Sequence, residues 1–241
     1  MILDNLQCYN ISMKLNNEEV YSMKNKISTW DYLWYALYAF GGLGLEIVLM
    51  SLIEPMMFGG ISTSNYTPAQ TIIHWLLTML CWGITAALLI RTSKKSLDFD
   101  VLSDSKPTRN GQVISAVLVI ICIVLNAFDW GTLKIIGEFQ KKGLLLFIFQ
   151  YLYYFFEVVL VYLIVAFGQK FAESLLQKKT QIPWGGVVLC CTWGAVHILS
   201  KGSIYTGIGV MTFALLYGVI YLLLKRNSKW SYLAMVIAFT I

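Results

Sequence analysis

Five ionisable side chains stand inside long apolar runs of this 241-residue chain: Glu46, His74, Asp129, Glu157 and His197. An ionisable group in hydrocarbon costs at least a few kcal/mol, so each is a candidate for chemistry. Glu157 lies in LYYFFEVVLVYL, a setting that suits a general acid or base. His197 follows Trp193 by four residues, which puts the indole and the imidazole on one helix face. Glu157 and His197 stand about midway along neighbouring runs, and an antiparallel pair of helices brings them to similar depth. The pair reads in two ways, as a site able to polarise a water or as a buried Glu–His hydrogen bond that locks two helices. Glu46, in GGLGLEIVLM, sits where glycines let a neighbouring helix approach and supply a partner. It is either a structural interhelix bond or a functional group. His74, beside Trp75, reads as a hydrogen-bonded interfacial residue. Asp129, before Trp130 and Gly131, reads as an exposed helix end, and Glu54, beside Pro55, as interfacial.

The elements that position these groups follow from composition. The chain is 58% hydrophobic and 13% charged, with a mean hydropathy of +0.67. Soluble domains carry about a quarter charged residues, so disorder and a small disulfide scaffold are excluded and a lipid solvent is implied. Each crossing needs roughly 20 apolar residues. The expectation is an all-α, polytopic integral membrane helical bundle of about seven transmembrane helices, near 32–57, 70–90, 112–130, 143–166, 184–200, 204–224 and 230–241. The last holds only twelve residues. Pro183 fits the start of the fifth helix, where a missing N–H is not needed.

Basic residues set the orientation. Of the 18 lysines and arginines, only Lys134, Lys141, Lys142 and Lys201 fall in the segments of one side. The other fourteen place the N-terminus and the loops 91–111, 167–183 and 225–229 in the cytoplasm of a cell-membrane protein. The net charge of +5 thus describes topology and contact with anionic lipid, not nucleic-acid binding. Lys134, Lys141 and Lys142 mark an interfacial helix over 131–142, and 168–183 reads as a short amphipathic cytoplasmic helix. The expected organisation is a cytoplasmic segment 1–29, a helix pair 30–91, a polar linker 92–111 and a helical membrane domain 112–241. The first 29 residues hold charges and no apolar core, so no removable signal is expected.

Other chemistries find no motif. Cys8, Cys81, Cys122, Cys190 and Cys191 are odd in number, lack C-x-x-C spacing and lie mostly in apolar runs, as small hydrophobic fillers do. No P-loop, dinucleotide fingerprint or paired-histidine zinc motif occurs, so no cofactor and no metal is expected.

From about 113 to 241 the chain resembles the CPBP family, membrane proteins related to the CAAX-processing prenyl protease and to bacteriocin self-immunity proteins. That family carries E-E-x-x-x-R on one span, F-x-x-x-H on the next, a glycine-bearing span and H-x-x-x-N on the last. Trp193-Gly194-Ala195-Val196-His197 stands where F-x-x-x-H belongs, and FALLYGVIYLLLKRNSKW is similar to the glycine-bearing helix, its basic turn and the tryptophan entering the last span. Around Glu157 one glutamate of the pair is replaced, by Phe156 or Val158, and the arginine position holds Val161 or Tyr162. The last histidine and asparagine fall near Val236 and Thr240, and His74 and His197 are the chain's two histidines. The resemblance implies Glu157 and His197 as the catalytic candidates, with Trp193, Tyr162, Glu46 and His74 in support. Losing oxyanion support costs on the order of a hundredfold in rate. The expectation is therefore a degenerate, non-catalytic member that binds a transmembrane, prenylated or otherwise hydrophobic peptide or partner, of the immunity or stress type. The alternatives are an active intramembrane endopeptidase using Glu157 and His197, and a proton or ion pathway through Glu46, Glu157 and His197.

Overall fold

The computed structural model describes residues 27–241; Cys8 and most of the expected N-terminal cytoplasmic segment lie outside them. Helices form where the apolar runs stand, and lipid requires it, because a chain in hydrocarbon must satisfy its own N–H and C=O groups. We number them α1 (Thr29–Phe58), α2 (Pro68–Ser96), α3 (Arg109–Trp130), α4 (Lys134–Leu175), α5 (184–201), α6 (Ile204–Leu223) and α7 (Ser228–Thr240). Five of them, α1 to α4 and α6, are long and apolar enough to cross a membrane. No strand occurs among the described residues.

Polar caps set the helix starts. Ser28 and Thr67 each form a reciprocal capping box, with Asp31 and Gln70 respectively, and Thr108, Ser203 and Asn227 accept from the first turns of α3, α6 and α7. α4 is two helices joined at Gly143, whose φ of 71° and ψ of 171° break the spiral. The basic segment 134–142 thus forms its own short helix, as its lysine spacing suggests. The long part of α4 then runs without a break to Leu175, so the amphipathic stretch expected over 168–183 is the end of this helix with a turn after it.

α4 is the central element. Its residues 158–167 are all buried except Val159, with α1, α2, α5 and α7 packed around them. The helix pair α1–α2 therefore docks on the second half of the chain. Close approach is set by small residues. Gly186 on α5 meets Gly218 on α6 so tightly that a Cβ on Gly218 would lie 2.7 Å from the Gly186 backbone. The polar stretch after α2 is tied down: Leu97 and Val101 are buried, Tyr32 donates to the Leu97 carbonyl, and Tyr162 donates to that of Val101.

α7 has 13 residues, about 20 Å of helix, which falls short of a roughly 30 Å hydrocarbon core. Its final carbonyls are capped from other helices. Asn126 donates to Ala238 O at 3.0 Å, Lys134 Nζ to Phe239 O at 2.8 Å, Tyr151 to Thr240 O at 2.8 Å and the Lys134 amide to Ile241 O at 3.0 Å.

Candidate functional site: a polar cavity in one half of the bundle

α1 and α5 are each interrupted by one π-helical turn, at Leu49–Ile53 and Cys190–Gly194. Such a turn absorbs one extra residue and re-aims the side chains beyond it. In α1 the consequence is specific. Glu46 and Glu54 are eight residues apart, about 80° out of register on a regular helix. With one residue absorbed by the π-turn they face the same way, to within about 20°. Both carboxylates reach His74 of α2: Nδ1 lies 2.7 Å from Glu54 Oε1 and Nε2 lies 3.3 Å from Glu46 Oε1. The two contacts require two protons shared by the three groups. Tyr66 donates to Glu54 Oε2 at 2.9 Å and Tyr153 of α4 donates to Glu46 Oε1 at 2.7 Å. A continuous hydrogen-bonded series thus runs from the 59–67 loop to α4. Glu54, expected at an interface, is fully buried.

Glu46 also lines a half-open cavity of about 1340 Å³, as do Glu157, His197 and Trp193. The lining extends from the end of the bundle where 59–67, 131–133 and 202–203 turn down to mid-bundle residues such as Trp82 and Tyr217. Glu157 and His197 do not bond each other. Trp193 stands between them: its Nε1 donates to Glu157 Oε1 at 3.3 Å, and its carbonyl lies 2.7 Å from His197 Nδ1. A carbonyl only accepts, so Nδ1 carries the proton and Nε2 is the acceptor nitrogen of the neutral ring. The imidazole packs edge-on to the Trp193 indole, 4.9 Å between centroids.

The sequence-derived candidates therefore separate. Glu157, His197, Trp193 and Glu46 share the cavity; His74 stands behind Glu46; Asp129 is an exposed helix end that also reaches the cavity. Tyr162 is buried and turned to the Val101 carbonyl, and it does not line the cavity. Val161 and Tyr162, the two positions at which the resemblance would put arginine, and Val236, near its histidine position, all belong to the hydrophobic core. Sequence reasoning passed over Tyr153 and Glu138, and read Lys134 only as a marker of topology. Tyr153 occurs one turn before Glu157, and that spacing was the available signal. Glu138 accepts from Tyr154 at 2.7 Å, and the Lys134 ammonium sits 4.2 Å from the Phe239 ring centroid and 4.6 Å from that of Tyr154.

No cluster of metal-ligand geometry occurs among the described residues. Fold and site together define an all-helical integral membrane protein with a polar, aromatic-walled cavity sunk into one half of its bundle. Compared with protein-family models, curated proteins and solved structures, the chain matches none.

Proposed function

We propose that the chain sits in the cell membrane as about seven helices, the short α7 completing the bundle, with its N-terminus in the cytoplasm. We further propose that it is a degenerate relative of the CPBP membrane proteins, using its cavity to hold a transmembrane, prenylated or otherwise hydrophobic peptide without cleaving it. Protection against a membrane-active peptide, or a stress response, is the role such capture serves. In this orientation the cavity opens on the outer side.

One observation carries the reading: Glu157 and His197 face a shared cavity, yet each is held by Trp193, while Val161 and Val236 are packed core. A hydrolytic site needs a base on the attacking water and donors on the oxyanion. Neither Val161 nor Tyr162, where the family has its arginine, nor Val236, near its second histidine, supplies a charged group to the cavity, which supports binding over hydrolysis. Purified protein incubated with hydrophobic peptides is expected to retain them intact, with Glu157→Gln and His197→Ala lowering retention.

A second reading, intramembrane hydrolysis, is favoured by the shared cavity and by the acceptor character of His197 Nε2, which together suit polarising one water. It requires cleavage products that Glu157→Gln abolishes. Such products would replace the first reading by the second.

A further inference from the structure

The depth of the cavity is rich in acceptors. Glu46 Oε1 takes the Tyr153 and His74 hydrogens, and its Oε2 has no partner among the described residues. Among those residues Glu157 takes only the Trp193 indole N–H, again on Oε1. His197 Nε2 is the acceptor nitrogen of its ring, because Nδ1 is bound to a carbonyl. Tyr153 lies one turn from Glu157 on α4 and touches Glu46 on α1, so the two carboxylates stand on one wall.

The positive groups around this wall are engaged elsewhere. Lys134 is bound to the Phe239 carbonyl and lies over two rings, Lys142 donates to Gln150 and lies over Trp75, and Lys141 lies over Trp130. Among the described residues no lysine or arginine comes within 4.0 Å of Glu46 or Glu157, and Lys201 is at the mouth. Of those residues, His74 alone pairs with Glu46 as a potential cation. Aromatic faces complete the wall: Trp75, Trp82, Tyr153 and Trp193, with the Trp82 and Tyr153 rings 4.7 Å apart.

A second observation is independent of the acids. Trp82 Nε1 and Tyr217 Oη are buried without a partner among the described residues, on side chains 1% and 0% exposed that line this same cavity. Buried donors of this kind ask for an acceptor such as a carbonyl. The volume also exceeds the roughly 300–1,000 Å³ of a usual small-molecule pocket.

We infer that the group recognised in the bound peptide is a cation, a lysine ammonium or an arginine guanidinium, received between Glu46 and Glu157 and walled by tryptophan and tyrosine rings. The backbone carbonyls of the same segment meet Trp82 and Tyr217. Ammonium and guanidinium supply donors to every free acceptor on the wall, and the rings favour a desolvated cation over a neutral side chain. This inference rests on the peptide-capture reading and specifies its ligand.

The test uses full-length protein in nanodiscs and three fluorophore-labelled apolar peptides, identical except for a central lysine, arginine or norleucine, with anisotropy as the readout. The lysine and arginine peptides are expected to bind at least about tenfold more tightly than the norleucine peptide. Glu46→Gln combined with Glu157→Gln is expected to erase that preference, so that the lysine and arginine peptides bind no more tightly than the norleucine peptide does. Equal affinity for all three on the unaltered protein overturns the cation and leaves peptide capture standing. Binding of none of them overturns capture itself and the inference with it. If the double variant does not fold, the comparison on unaltered protein and on Glu46→Gln alone decides.

Discussion

Glu54 shows how much a single side chain can hold at the end of the bundle where the 59–67 loop turns. It is fully buried and accepts from Tyr66 and His74, and His74 in turn reaches Glu46. Removing one partner of a buried ionic network leaves the others without compensation and costs about 3–5 kcal/mol, whereas a neutral isostere keeps part of the hydrogen bonding. Thermal unfolding in detergent should therefore show Glu54→Ala as strongly destabilising and Glu54→Gln as less so. Equal, negligible shifts for both would show that the network carries little. Sequence alone brought Glu46, Glu157 and His197 forward because each interrupts an apolar run. It read His74 as hydrogen-bonded and both His74 and Glu54 as interfacial, because each stands near a span end, without showing that the two side chains meet. What it lacked was the π-turn, which no residue pattern in LMSLI announces and which rotates Glu54 inward.

That π-turn makes a prediction at the scale of the element. Inserting one alanine after Ser51 adds a residue that the single Leu49–Ile53 turn does not absorb and carries Glu54 about 100° off its present face. The insertion should lose about the same stability as Glu54→Ala, and combining the two should add little further, because one network is broken twice. Additive losses would show the two features to be independent. The α5–α6 crossing offers a second case. A methyl at Gly218 meets the backbone of Gly186, which has no rotamer with which to yield. Gly218→Ala is expected to cost about 1–3 kcal/mol, while Gly44→Ala, with nothing within 4 Å of its added carbon, is expected to be nearly neutral. Helix positions were legible because lipid leaves an apolar run of roughly 20 residues few alternatives. The break at Gly143 was legible through the basic stretch before it. The continuation of α4 to Leu175 was not, since a charged, amphipathic end looks the same whether it extends a helix or begins another.

For the molecule as a whole, the proposed orientation rests on the lysines and arginines, and the cavity opens at the end that carries few of them. With the native cysteines replaced, a cysteine at Thr63 should react with an impermeant maleimide on intact cells, and one at Lys179 only after permeabilisation. The reverse pattern would invert the orientation and turn the cavity to the cytoplasm. The contents of the cavity were only half legible. Spacing put Trp193 and His197 on one face, but it could not show that the indole N–H reaches Glu157, or that Tyr162 turns away to Val101. The central claim, that this cavity captures a hydrophobic peptide and releases it uncut, is tested most directly by a photo-crosslinking residue at Val196, which lines the cavity, compared with one at Leu199, 83% exposed on the same helix. The expected result is that an added apolar peptide is captured intact from position 196 and not from position 199. Equal crosslinking at both positions, or recovery of a cleaved peptide whose cleavage disappears in Glu157→Gln, would contradict it.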